Sequence, residues 1–316
     1  MLRKEWKFLK KAVVICGGYI GIEVAEAFAK KGIDVTLVDL VDRVLNTYLD
    51  KEFTDVLEEN SQKHGLKLRL GESVKGFKGE CGKVTAVITD KGEIPCDTAI
   101  VSVGVKLNTG WLKGSIEMDE RGFVKVDEYL RTSLKDVWAG GDATYVPYAP
   151  TGGKAPIALA TMARRQGVVA ALNSMGGEIK VSEMNGTSSL ELFDYKFSST
   201  GLRSQNQDLY NGKVASKYVE KRIFPKFMRK DEIARMKIFF DEESHVILGG
   251  QLMSTYDISQ AINVISLAIS NKMTLEELAL SDFFYQPGFD KPWNFINVLV
   301  MAALDFKFGG ADKILF

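Results

Sequence analysis

The chain of 316 residues can bury at least one sizeable core, and its length favours two domains over one. Acidic and basic side chains balance at 41 each, so no strong field draws it toward nucleic acid or an anionic membrane. The apolar run 295–304 is broken by Asn297 and falls short of a bilayer span, and residues 1–10 lack the apolar stretch and cleavage site of a secretory leader, so a cytoplasmic location away from membranes is expected.

In chain order, the short apolar run 12–16 reads as a buried parallel strand. Residues 20–31 follow with Ile20, Val24, Ala27 and Phe28 at helical spacing, and Gly32 ends that helix. The second strand, 35–38, closes on Asp39. A further helix is expected over 49–64, with Asp50 as a candidate N-cap and Gly65 as the stop. From 66 to 105 the pattern turns β-rich: short strands at 66–70, 84–89 and 93–95, glycine turns at Gly82 and Gly92, and a buried strand at 98–103 before Gly104. An apolar strand over 137–142 and a small-residue helix over 157–172 come next. Near Gly176 and Gly177 the composition shifts to β-like stretches (189–193, 236–240, 246–252) and helices (258–270, 275–280, 295–304), the pattern of an α+β domain beside the first.

The turn after the first strand carries the chemistry. It runs Cys16-Gly17-Gly18-Tyr19-Ile20-Gly21-Ile22-Glu23, and the three glycine positions of a dinucleotide fingerprint fall on Cys16, Gly18 and Gly21. Gly18 leaves the backbone open to a pyrophosphate, Gly21 lets the helix close on the strand, and the helix-start amides favour the phosphate charge. Asp39, at the tip of the next strand, is placed to bond the adenosine ribose and to repel a 2′-phosphate, so NAD(H) is expected over NADP. Cys16 is the defect, because a Cβ there strains a turn that glycine makes freely.

Cys16, Cys81 and Cys96 show no CxxC pairing and no histidine cluster, which excludes a disulfide framework and a zinc site. His64 and His245 both lie in polar, turn-like sequence and read as solvated. No catalytic residue and no metal ligand is assigned. Any chemistry is expected to be carried by a cofactor.

Five stretches together resemble the NADH oxidase and NADH peroxidase group of FAD-dependent pyridine nucleotide–disulfide oxidoreductases: GGYIGIEVAE at 17–26, DRVLNTYLD at 42–50, VWAGGDA at 137–143, FDYKFSSTG at 193–201 and FDKPWN at 289–294. The resemblance implies a Rossmann-like α/β NAD-binding domain of the FAD/NAD(P)-binding type plus a C-terminal α+β dimerisation domain. It divides the chain into an N-terminal extension (1–10), the NAD domain (11–131), a returning part of the FAD domain (132–177) and the dimerisation domain (178–316). It places Gly18 and Gly21 on the pyrophosphate turn, with Gly17 and Ile20 among the cofactor-binding residues beside them, Asp39 on the adenosine ribose and Tyr48 on the adenine side. It gives Tyr19 a gating role over the flavin, against a packing role read from the residue alone. Glu23 is set toward nicotinamide and flavin, where a first-turn acid favoured by the helix dipole is the plainer reading. Gly104 becomes a backbone approach near nicotinamide, although Leu107 stands where the family has proline. Asp142 faces the flavin ribityl chain, with an Asx turn as the alternative. Ala158, Leu159 and Ala160 face the flavin pyrimidine. The segment 289–294 reaches the partner's active site, or else anchors an aromatic in the core.

The family's own flavin glycine turn, catalytic histidine and redox cysteine have no match here, and the cysteines present fall within the NAD domain. Apolar surface is therefore expected to be exposed over 132–177. Three readings stand: an NADH oxidase-like oxidoreductase fragment that binds NADH and, in an intact enzyme, passes hydride to FAD and on to O2 or H2O2; one half of a split enzyme; or an inactive NADH-binding, homodimerising module. FAD is expected to be lost from the chain alone.

Overall fold

The computed structural model describes residues 9–306, so most of the expected N-terminal extension lies outside the described residues. The first unit is built on a parallel sheet of β1 (Lys11–Ile15), β2 (Asp34–Val38), β3 (Lys67–Arg69) and β7 (Thr98–Val101), in the order β3-β2-β1-β7. β1 is central, with Val13 opposite Thr36 on one side and Ala99 on the other. Its two faces divide with the strand period of two. Ala12 and Val14 enter the core beneath α1 (Tyr19–Ala29) and α2 (Lys51–Lys63), while Val13 and Ile15 pack against Val87, Ile94 and Cys96. Val87 and Ile94 belong to a three-stranded antiparallel meander of β4 (Val74–Glu80), β5 (Lys83–Thr89) and β6 (Gly92–Pro95), and Cys96 directly follows its last strand.

A ribbon of β8 (Val146–Tyr148) and β9 (Gly153–Ala155) leads into α3 (Ala160–Ser174). The last unit is a five-stranded antiparallel sheet of β10 (Ser188–Leu192), β11 (Tyr195–Gly201), β12 (Val214–Arg222), β13 (Ile233–Asp241) and β14 (Ile247–Ser254), in the order β10-β11-β14-β13-β12. α4 (Ile262–Ser270), α5 (Leu275–Ala279) and α6 (Phe295–Ala303) cover one face and share a core with it. The other face does not stop at its own boundary. Leu192, Phe193, Phe197 and Met253 pack into the same cluster as Ala12, Val14, Leu37 and Phe53, so the first and last units share one core.

Several expectations are corrected. The strand expected to be buried over 98–103 ends at Val101 on the edge of the sheet, with Val101 56% and Val103 67% exposed. Residues 137–142 form no strand: one bridge joins Trp138 to Arg131, and the chain then tightens into a 3-10 turn at Gly141–Ala143 because Gly140 and Gly141 pack on Gln166 and Ala163. The helix expected from 157 begins at Ala160, since Leu159 is still extended. Asp50 holds the N-cap position of α2, but its carboxylate makes no cap bond and turns to Ser204 and Lys237 instead. Neither histidine is simply solvated: His64 Nε2 meets Asp194 at 2.8 Å, and His245 Nδ1 meets Glu276 at 2.5 Å. The apolar surface expected over 132–177 is present, with Val168, Leu172 and Met175 forming an exposed stripe on α3.

Candidate functional site

β1 delivers the chain into the glycine turn through Cys16, which sits at φ +81°, in the left-handed region that side chains avoid. The Cys16 N–H donates to Val38 O at 2.8 Å and keeps the turn joined to β2. Gly18 is the N-cap residue of α1, and a Cβ added there meets nothing within 4 Å, so its backbone faces open space where a phosphate can approach. Gly21 is the opposite case: a Cβ would lie 1.8 Å from Cys16 O and 2.8 Å from Ser102 Oγ. Helix and strand therefore touch backbone to backbone. Ile20 stands exposed in the first turn of α1.

Asp39 is 8% exposed, and Oδ2 accepts from Gly17 N at 2.6 Å while Oδ1 accepts from Val41 N at 3.2 Å. The carboxylate thus ties the tip of β2 to the glycine turn, a second task that spacing alone does not reveal. Open amides at a helix start, a bare Gly18 and an acid beside them form a cradle that fits NAD(H).

Tyr19, the first residue of α1, stacks on Tyr48 at 3.9 Å between ring centroids and lies 6.3 Å from the Phe197 ring. Its hydroxyl is 2.9 Å from Ser188 Oγ across the boundary between the first and last units. Burial pushes its phenol above the ordinary range, and the Ser188 bond and the Arg203 charge only partly oppose that. Tyr48 also lines a cavity of about 360 Å³ together with Ser188 and Arg203 of the last unit.

Glu23 is exposed but falls on the fifth residue of α1, past the first turn, which corrects the dipole explanation for it. Gly104 lies two residues beyond the serine that follows β7, at φ +97° and exposed. Asp142 is exposed on the 3-10 turn, and no Asx bond forms there among the described residues; Gly141 N donates instead to Gln166 Oε1 at 2.6 Å. Ala158 and Ala160 are exposed around Leu159, the N-cap residue of α3. In 289–294, Phe289 is exposed and does not anchor the core, whereas Trp293 packs on it. Asp290 is buried, accepts from Lys291 N at 2.7 Å and from Phe295 N at 3.3 Å, and is pushed up to about 6 by burial against those bonds.

Sequence reasoning missed four side chains that hold these parts together. Ser102 Oγ donates to Ile15 O at 2.8 Å beneath the glycine turn. Gln166 is fully buried and holds the Gly140-Gly141 loop. Ser188 holds Tyr19. Lys237 lies 2.7 Å from Asp50 and 2.8 Å from Glu52. No metal-binding group of His, Cys, Asp and Glu forms among the described residues, and none of their helices is long and apolar enough to cross a membrane.

Comparison with known proteins agrees with this geometry. The family model described as pyridine nucleotide-disulphide oxidoreductase matches residues 1–167, and its dimerisation-domain counterpart matches residues 187–294. An NADH oxidase of Enterococcus faecalis is 46% identical over 300 residues, covering 95% of this chain and 67% of that protein. The water-forming NADH oxidase from Lactobacillus brevis, solved with NADH, superimposes with a TM-score of 0.91 at 39% identity, over 96% of this chain and 67% of that one. A NAD-dependent persulfide reductase from A. fulgidus gives a TM-score of 0.90 at 26% identity, over 96% of this chain and 57% of that one. The chain spans about two thirds of the length of the NADH oxidases it matches.

Proposed function

Because the chain belongs to the pyridine nucleotide-disulphide oxidoreductase family, we propose that it binds NADH on the turn at 17–21 and serves NADH oxidase-type electron transfer. The observation that carries this reading is the open backbone at Gly18 beside the buried Asp39 carboxylate. Gly17, Gly18, Ile20 and Gly21 hold the pyrophosphate, and Asp39 takes the ribose hydroxyls. Tyr19 and Glu23 face the nicotinamide, with Gly104 at the near strand end. Tyr48, given to the adenine side by the resemblance, stacks on Tyr19 at 3.9 Å between ring centroids and so belongs with it at the nicotinamide end. NADH bound there supplies a hydride.

FAD fits less well. Asp142, Ala158, Leu159 and Ala160 offer contacts to a flavin, but the strand–glycine–helix unit among the described residues is the one assigned to NADH. In an intact enzyme the hydride passes to FAD and on to O2 or H2O2, and residues 1–316 on their own are expected to show no flavin spectrum. The exposed stripe of Val168, Leu172 and Met175 offers a face for a flavin-bearing part, supplied by the same chain or by a second one. Residues 11–131, 132–177 and 178–316 are taken as the NAD, FAD-side and dimerisation parts, in a cytoplasmic homodimer joined through the last part.

Asp39→Ala tests the site. It is expected to weaken NADH binding roughly tenfold or more, as a lost charge-assisted pair does. Because Gly17 N loses its partner too, stability falls by about 1–3 kcal/mol. Fluorescence titration with NADH and a urea melt measure the two separately. Unchanged affinity removes Asp39 from the site.

A further inference from the structure

Two asparagine–glycine pairs occur in the chain, Asn185-Gly186 and Asn211-Gly212. A glycine after asparagine leaves the peptide nitrogen unshielded by a side chain, so the carboxamide can close on it as a five-membered imide. Whether it does so in a folded protein depends on how firmly each pair is held.

Asn185 is 6% exposed. Its Nδ2, the group that must leave, donates to the Ser266 carbonyl at 2.8 Å and to the hydroxyls of Ser266 and Ser270 at 2.9 Å. Its main-chain carbonyl accepts from Gly201 N at 2.8 Å. Ring closure there would have to break buried hydrogen bonds first.

Asn211 has the opposite setting. It lies in the connection from the 3-10 helix Ser204–Leu209 to β12, and Asn211, Gly212 and Lys213 are all exposed. No hydrogen bond of the Asn211 side chain forms among the described residues. The connection is tied on either side, where Tyr210 N donates to Gln207 O at 3.0 Å and Glu242 N to Lys213 O at 2.9 Å. Between those ties the carboxamide can swing onto Gly212 N while both bonds stay in place. Gly212 itself is required by packing. A Cβ there would lie 2.6 Å from Asp241 Oδ2 and 2.6 Å from Tyr210 Cε1, and Asp241 Oδ1 is held by Ser244 N and Ser244 Oγ at 2.7 Å. The fold thus demands the very residue that makes its neighbour reactive.

We propose that Asn211 is a site of spontaneous covalent modification, converting in the folded chain to isoaspartate and aspartate while Asn185 is spared. Gly212 N gives its proton to a solvent base and bonds to Asn211 Cγ. The Cγ–Nδ2 bond breaks, and the nitrogen leaves as ammonia after taking up a proton. Water then opens the imide at either carbonyl, giving aspartate or a main chain longer by one carbon. Nothing is oxidised or reduced, and the product gains one negative charge next to the glycine that abuts Asp241.

The full chain is incubated in mildly alkaline buffer, folded and in urea, then cleaved and read by mass spectrometry with fragmentation that separates isoaspartate from aspartate. In the folded chain Asn211 is expected to convert at least about tenfold faster than Asn185, because the opening of the Asn185 surroundings adds to its barrier. In urea the two rates should converge. Asn211→Gln needs a larger ring and is expected to remove the acidic species that the wild-type chain accumulates on anion exchange. An Asn211 amide that persists in the folded chain while it is lost in urea overturns the proposal. So does an Asn185 that keeps pace with Asn211 in the folded chain, or an acidic species that forms equally in Asn211→Gln. NADH takes no part in these measurements, so the result stands apart from the dinucleotide assignment.

Discussion

At the scale of single residues, Cys16 is where sequence and geometry agree most closely. The fingerprint asks for glycine at this position, and the backbone there adopts φ +81°, a conformation that is strained for any residue with a Cβ. The hydrogen bond from Cys16 N to Val38 O holds the turn in place regardless. Burial raises the thiol above its ordinary range and the neighbouring Asp39 adds to that, so Cys16 remains a protonated, unreactive thiol at neutral pH. The side chain therefore brings strain without chemistry. Cys16→Gly is expected to stabilise the chain by about 1 kcal/mol. In urea this appears as a higher midpoint at unchanged slope. A lower midpoint means that the thiol's packing outweighs the strain, and the turn is then less tense than its dihedral implies.

At the scale of elements, legibility followed how plainly a segment declares its face. β1, α1 and β2 were readable because an apolar strand, a glycine turn and a helical stripe occur in sequence, and each fell within a residue or two of expectation. β11 was missed because its buried positions carry Ser198, Ser199 and Thr200, so no apolar alternation marks it. β12 was missed for the opposite reason: its run of Lys, Glu and Arg among half-buried positions gives little contrast between faces. β4 is nearly all exposed and contains Gly76 and Gly79. The start of α2 shows how a local rule yields to a distant partner. Asp50 belongs at the N-cap by sequence, but Lys237, on a strand of the last unit, takes its carboxylate at 2.7 Å. Burial raises Asp50, and the bonds from Lys237 and Ser204 more than reverse it, leaving it below the usual carboxylate range. Burial likewise lowers Lys237, and Asp50 and Glu52 more than reverse that, leaving it raised. The depressed acid contributes stability that is present above its unfolded value and lost as pH falls through the folded one, below about 4. The raised lysine contributes stability that is present below its unfolded value and lost as pH rises through the folded one, above about 10.5. Lys237→Met leaves Asp50 buried without its cation and is expected to cost about 3–5 kcal/mol at pH 7. Adding Asp50→Asn to that variant should recover part of the loss. Urea melts of the single and double variants decide it: equal stability in the two shows that the pair does not interact.

At the scale of the whole molecule, the boundary near residue 177 divides the sequence without dividing the energetics. The dinucleotide turn could be recognised from neighbours in sequence, but the residues that hold Tyr19 could not, since Ser188 lies 169 positions away. The same is true of Glu26, which accepts from Phe193 N, and of Asn60, which donates to Asp194 Oδ2 at 2.7 Å. Beneath these bonds, Leu192, Phe197 and Met253 are fully buried among Ala12, Val14, Leu37 and Phe53. Peeling one unit from the other would open this cluster to water at roughly 25 cal/mol per Å² of apolar surface and would strip the partner from the buried Asp50. Neither unit gains enough disorder by opening alone to offset both losses, so the first and last units are expected to unfold together. Native-state hydrogen exchange can test this, because it assigns an opening free energy to each amide. Val14 and Leu37 in the parallel sheet should share one value with Ile238 and Leu252 in the antiparallel sheet. A gap of more than about 2 kcal/mol between the two sets would show two independent folding units and make the shared cluster a contact surface rather than a core.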